Sequence, residues 1–114
     1  LIYGGRSMGG RICSMAVAAG MPAAGLVLLS YPLHPPKKPD KLRVEHFADI
    51  SVPCLFVSGS NDPFGCPEEF NQHLTQINGR VEAKYLEGGG HDPKTQNHVA
   101  AIVQAVHKWV ISVA

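Results

Sequence analysis

Charge is scarce in this sequence. Ten lysines and arginines against nine aspartates and glutamates make up 17% of its 114 residues and leave a formal net charge of +1. A chain so balanced lacks the electrostatic footprint of a nucleic-acid binder. Its one dense basic patch, Lys37-Lys38-Pro39-Asp40-Lys41-Leu42-Arg43, is broken by a proline and an acid and reads as a solvated loop. Cysteine is equally sparse. Cys13, Cys54 and Cys66 are odd in number and lack C-x-x-C spacing, which argues against a disulfide framework or structural zinc and for a reducing compartment. Cys13 and Cys54 fall in apolar runs, where they are expected as small core residues. The apolar stretch over 16–29 is interrupted by Gly20, Pro22 and Gly25, which makes it a poor membrane span. No basic-then-apolar leader opens the sequence, so a cytoplasmic location without membrane contact is expected. Neither a metal nor an organic cofactor is implied.

What the sequence does have is a hydrophobic content of 45%, ordinary for a globular interior. At this length a chain supports one core. Its periodicity alternates between strand and helix. Residues 1–3 read as the last residues of a buried strand. A helical pattern over 8–19 follows, with Ile12, Met15, Ala16 and Ala19 on one face, stopped by Gly20-Met21-Pro22. The continuous apolar run over 25–30 suits a parallel strand covered on both faces, and a third strand over 52–58 is entered through Pro53. A helix over 67–77 begins with Pro67 and Glu68-Glu69. A fourth, less apolar strand over 81–86 belongs nearer an edge. The terminal helix over 95–113 carries Val99, Ile102, Val103, Val106 and Val110 along one side. The expected fold class is therefore α/β, with about four parallel strands and flanking helices. Residues 1–30 give the first strand, helix and next strand, 31–51 an irregular proline-rich segment, and 52–114 the remainder. Because residues 1–3 make so short a strand, a further segment or self-association is expected at the edge that Leu1 and Tyr3 present.

The first strand runs into Gly4-Gly5-Arg6-Ser7-Met8-Gly9-Gly10 and then into a helix. Within it, Gly5-Arg6-Ser7-Met8-Gly9 fits G-x-S-x-G in the strand-to-helix context that gives the pattern meaning. A sharp turn there holds a serine hydroxyl up at the carboxyl end of the sheet. It also leaves the Met8 N–H at a helix N-terminus, ready to face an oxyanion. A serine hydroxyl is a poor nucleophile until a base takes its proton, so a histidine and an orienting carboxylate are required. Asp62, in Ser58-Gly59-Ser60-Asn61-Asp62-Pro63, follows the third strand, and His91, after Gly88-Gly89-Gly90, follows the fourth. Both lie at the same end of a parallel sheet as Ser7. Other readings exist for each. Asp62 before a proline also fits a plain turn. Asp49 precedes a strand, at the wrong end, and Asp92 beside His91 suits a turn or cap. His73, His98 and His107 sit within helices. His34 and His46 occupy the irregular segment.

Together these residues resemble the α/β-hydrolase superfamily, specifically its carboxyl-terminal portion. The stretches Gly4-Gly5-Arg6-Ser7-Met8-Gly9-Gly10-Arg11, residues 30–47 and Gly89-Gly90-His91-Asp92-Pro93-Lys94 are similar to a dienelactone-hydrolase-like branch. That branch includes bacterial proteins, a testis-expressed protein and a subunit of a chromatin-associated acetyltransferase complex. The resemblance implies Ser7, Asp62 and His91 as a catalytic triad, Met8 N–H as one oxyanion donor, and a second donor on a loop of an earlier strand. It also implies a small ester-like substrate and, through the chromatin-associated relative, a nuclear as well as a cytoplasmic location. Residues 31–51 stand where the family places a lid, with a short helix over 42–47 expected above the pocket. Tyr31 and His34, leaving the second strand at its carboxyl end, are expected at the substrate with Phe64. Arg6 suits an anionic substrate group or a structural salt bridge. The rival to an esterase is a hydrolase-fold binding or scaffold module that keeps the three residues without turnover.

Overall fold

Alternation of side chains across one sheet divides the interior into two layers. The computed structural model describes residues 1–113. Strands β1 (Ile2–Arg6), β2 (Gly25–Leu29), β3 (Cys54–Gly59) and β4 (Val81–Leu86) are all parallel and pair in the order β1-β2-β3-β4. Helix α1 (Met8–Ala18) joins β1 to β2, α2 (Pro67–His73) lies between β3 and β4, and α3 (Gln96–Val113) follows β4. Successive residues of a strand point to opposite faces. Leu26, Leu28, Cys54 and Phe56 therefore meet Tyr31, Phe47 and Phe70 in one layer. Val27, Leu55, Val57 and Leu86 meet Trp109 of α3 in the other.

The structure moves several expected boundaries. β1 does not stop at Tyr3 but continues through Gly4 and Gly5, which pair with Val27 and Leu28. The expected helix over 67–77 is α2 followed by a 3-10 turn, Leu74–Gln76. No helix forms over 42–47; a 3-10 turn at Phe47–Asp49 is the regular structure of that segment.

The inward face of α1 is also different. Ile12 is 58% exposed and Met15 44%, while Gly10, Ser14 and Val17 are buried. The cause is the closeness of the helix to β1. A Cβ on Gly10 would stand 2.7 Å from the Gly5 carbonyl oxygen and 3.3 Å from Leu28 Cδ2, and one on Gly5 would stand 2.6 Å from Gly10 N. Nothing larger than glycine fits at that crossing, so the helix turns its small residues inward and its bulky ones outward. A Cβ on Gly9, by contrast, would meet nothing within 4 Å. In α3 the buried residue is Trp109, whose ring occupies the space that a Cβ on Gly25 would take. Ile102, Val106 and Val110 pack beside it, and the expected Val99 and Val103 lie outward instead.

The segment between β2 and β3 is core rather than cover. Ser30 has a φ of 52°, and the turn it makes sends Tyr31 down between Phe47 and Phe56, at ring-centroid distances of 5.5 Å and 5.8 Å. Leu33, Val44, Phe47 and Ile50 are buried with it. The segment is fastened to α1 by a hydrogen bond. Ser14 gives its hydroxyl proton to the Arg11 carbonyl at 2.7 Å, so its oxygen accepts from His46 Nε2, 2.8 Å away. Burial, with help from the Arg11 charge, holds His46 below its usual pKa against the opposing pull of Glu45 and Asp49.

Two predictions follow from this packing. Gly10→Ala should lower stability by about 1–3 kcal/mol through overpacking. Gly9→Ala, one residue earlier and inside the same motif, should raise it by about 0.4–1 kcal/mol by restricting the unfolded chain. Urea denaturation of both variants checks the opposite signs. For His46, the unfolded chain holds the proton more tightly than the folded one. Its contribution is thus present above the unfolded pKa of about 6.5 and is lost as the pH falls from there through the lowered pKa of the folded histidine. Acidification from about pH 7.5 to about pH 5.5 should shift the urea midpoint of the native sequence further than that of His46→Gln.

Candidate active site

A parallel sheet brings the carboxyl ends of its strands to one edge. Ser7 follows the last residue of β1, Asp62 lies three residues beyond β3, and His91 five beyond β4. Ser7 has a φ of 54° and a ψ of −123°, a left-handed conformation for a residue with a side chain. Such backbone strain is typically worth about 1–3 kcal/mol and persists only where the surroundings impose it. Here the Ser7 N–H donates to the Leu29 carbonyl at 2.7 Å, and the Gly5–Gly10 crossing fixes the turn on either side. At the N-terminus of α1 the Ser7 side chain makes no capping bond, which leaves its oxygen free to face outward.

A second close crossing sets the other two residues. A Cβ on Gly59 would lie 2.1 Å from the Gly89 carbonyl oxygen, so the loop after β4 passes directly over the end of β3. The Asn61 N–H donates to that same carbonyl at 2.8 Å, tying the two loops together. Asp62, 4% exposed, turns its carboxylate to His91, with Oδ2 and Oδ1 at 2.9 Å and 3.1 Å from Nδ1. Its Oδ1 also accepts the Phe64 N–H at 2.8 Å, so Asp62 serves a turn and the imidazole at once. An ionised carboxylate only accepts, so Nδ1 of His91 carries the proton. That leaves the Nε2 lone pair toward the Ser7 hydroxyl, at 2.8 Å. The three side chains form an unbroken hydrogen-bonded row.

Around the row, Phe64 lies over the His91 ring at a centroid distance of 4.1 Å and an interplanar angle of 34°. Arg6 pairs with Asp92, which also approaches Lys94 at 3.4 Å. Of the two expectations for Arg6 the salt bridge is the one observed. Tyr31 is not at the site. It is fully buried, donates its hydroxyl proton to the Arg43 carbonyl at 2.8 Å, and burial pushes its phenol up to about 12. The turn at Ser30 carries it away from Ser7. His34 is 5% exposed and stands behind the loop that bears Asp62, with its Nε2 at 2.8 Å from Glu69. It too presents nothing to a solute, and the expectation that it lines the substrate is corrected.

Motif and spacing do not indicate Glu69 as the partner of His34, Asp92 as the mate of Arg6, or the Gly59–Gly89 crossing. For Glu69 a signal existed, since a glutamate three residues after an N-cap followed by proline fits a capping box. Its carboxylate does accept the Cys66 N–H at 3.0 Å. Nothing in the spacing indicated His34 as its second partner. Two grooves, of about 340 Å³ beside Trp109 and about 360 Å³ beside Ile77, share no residue with Ser7, Asp62 or His91. No described helix is long and apolar enough to cross a membrane.

Solved structures share this arrangement of strands and helices. A monoacylglycerol lipase of Paleococcus ferrophilus superposes with a TM-score of 0.81 at 13% identity, over 99% of this chain and 68% of that one. A dienelactone hydrolase of Anabaena variabilis gives 0.78 at 19% identity, over 97% and 48%. The esterase domain of a Rhodothermus marinus protein gives 0.77 at 13% identity, over 99% and 62%. The chain thus spans less than two thirds of that esterase domain and about half of that dienelactone hydrolase. At such identities the likeness is one of fold. In sequence, the alpha/beta hydrolase domain family matches residues 1–112, nearly the whole chain, and the chain belongs to that family.

Proposed function

We propose that this protein is a serine hydrolase that cleaves an ester or related acyl bond, in a branch near the dienelactone hydrolases. The observation that carries the proposal is the row Ser7–His91–Asp62, with each heavy-atom step between 2.8 and 3.1 Å. In the first half-reaction Ser7 Oγ attacks the acyl carbon while its proton passes to His91 Nε2. The carbonyl oxygen becomes an oxyanion and accepts from the Met8 N–H at the start of α1. Collapse of the tetrahedral intermediate breaks the acyl–oxygen bond, and His91 returns the proton to the departing alkoxide. In the second half, water gives its proton to His91 and attacks the acyl-enzyme. Ser7 Oγ then leaves, taking that proton, and a carboxylic acid is released. Asp62 holds the imidazole in the required tautomer and stabilises the imidazolium between these transfers. Phe64 covers one face of that ring. Because Arg6 is engaged by Asp92, the reading favours a substrate without an obligatory anionic group.

The competing reading is a hydrolase-fold binding module that retains these residues without turnover. A fluorophosphonate probe, which is captured only by an activated serine, separates the two. The native chain should label at Ser7, Ser7→Ala should not label, and Asp62→Asn should label about 10⁴-fold more slowly through loss of the correct tautomer. Equal labelling of the native chain and Ser7→Ala, or no labelling of either, would sink the hydrolase reading in favour of the binding module.

A further inference from the structure

His34 stands between two hydrogen-bond acceptors. Its Nδ1 is 2.8 Å from the Pro35 carbonyl oxygen and its Nε2 is 2.8 Å from Glu69 Oε2. A carbonyl and a carboxylate both need a proton from the ring, and a neutral imidazole has one N–H to give. With Glu69 ionised, the geometry is satisfied in full only by the imidazolium. The remaining contacts tie this cation to the loop that carries Asp62. The His34 N–H donates to the Phe64 carbonyl at 3.1 Å, and the Phe64 N–H donates to Asp62 Oδ1. Glu69, in the first turn of α2 just beyond that loop, uses its other oxygen to accept the Cys66 N–H. The loop is thus gripped at Phe64 by the backbone of His34 and at Cys66 by the side chain that His34 holds.

We infer that His34, as a cation, is a positioning residue for this site: it clips the exit of β2 to Glu69 at the start of α2 and thereby fixes the loop that presents Asp62 and Phe64 to His91. The inference rests on the hydrolase reading for its effect on rate, but the clip itself does not. The groups that bear on the charge of His34 are Glu69 from α2 and Asp62 from the loop. Burial opposes that charge, yet the Pro35 carbonyl and Glu69 outweigh it and raise the histidine above its usual range. Burial likewise works against ionised Glu69, and the Cys66 N–H and His34 outweigh it and lower the carboxyl. The pair therefore fails at both extremes. Its stabilisation is lost as the pH rises through the raised pKa of folded His34, and lost as the pH falls through the lowered pKa of folded Glu69. Once neutral, His34 keeps its proton for one acceptor only, and an unshared lone pair faces the other.

Glu69→Gln makes the test specific. The glutamine oxygen can still accept from Cys66, and its amide N–H can donate to a neutral His34, so every hydrogen bond survives while the ion pair does not. In the full native chain, the His34 ring signals and the Phe64 amide followed by NMR should titrate with one midpoint. The kcat for p-nitrophenyl acetate should fall through that same midpoint on the alkaline side with little change in KM. In Glu69→Gln the His34 midpoint should drop and the alkaline loss of kcat should vanish. His34→Ala should lower kcat by about 10- to 100-fold, the scale of a small misplacement of catalytic groups. A Phe64 amide indifferent to the titration of His34, or a Glu69→Gln variant that keeps the alkaline loss, overturns the inference. If no hydrolysis depends on Ser7, the hydrolase reading fails separately, and the Phe64 titration alone decides whether the clip exists.

Discussion

The site depends on backbone meeting backbone where no side chain can intervene. At one crossing Gly5 lies against Gly9 and Gly10, and at the other Gly59 lies against Gly89 and Gly90. The first draws α1 onto β1 and leaves Ser7 in its left-handed conformation between them. The second lays the histidine loop across the end of the strand that leads to Asp62. Each crossing replaces a side-chain layer with direct contact between peptide groups. Together they bring three residues from three loops within hydrogen-bond reach. The strain at Ser7 is local, but what sustains it is the packing of the whole first βαβ unit, whose strands are held by the β1–β2 ladder and by Leu28 beneath Gly10.

That dependence explains which features could be read from the sequence. Ser7 was legible because G-x-S-x-G stood between a strand pattern and a helix pattern, and Asp62 and His91 because each followed a strand at the same end of a parallel sheet. The fold class was legible because an apolar run as short as Gly25–Leu29, opened by a glycine and preceded by Pro22, suits a strand covered on both faces better than a helix. The face of α1 was not. A reading by hydrophobicity assigns Ile12 and Met15 to the core, whereas the close approach at Gly10 selects by size and admits Gly10 and Ser14. Periodicity measures the preference of side chains for water, and here clearance between backbones overrules it. In α3 a single large residue does the same, since Trp109 needs the space left by Gly25 and sets the rotation of the helix.

Tyr31 and His34 show a different limit. Both leave β2 at the correct end of the sheet, which is why they were expected at the substrate. The deciding residue is Ser30, whose φ of 52° reverses the chain. A serine carries no strong signal for that conformation, as a glycine would have done. The consequence is that a segment with the length and proline content of a lid is drawn into the core by Tyr31, Leu33, Val44, Phe47 and Ile50. Length alone separates long loops from short ones; which way such a loop folds is set by its first turn.

Charges near His91 are sorted by burial, and the sorting bears on how the imidazole is oriented. Asp92 is adjacent in sequence, but its carboxylate is half exposed and is shared between Arg6 and Lys94. Water and two cations leave it little directional hold on a neighbour. Asp62 is buried, and its side chain accepts from a backbone N–H within its own turn as well as from His91. In that low-dielectric setting its hydrogen bonds are both stronger and more directional. The Arg6–Asp92 pair then has a use that does not involve substrate: it keeps a flexible cation and a flexible anion next to Ser7 engaged with each other. The imidazole is left to answer to the one carboxylate whose position the loop geometry fixes.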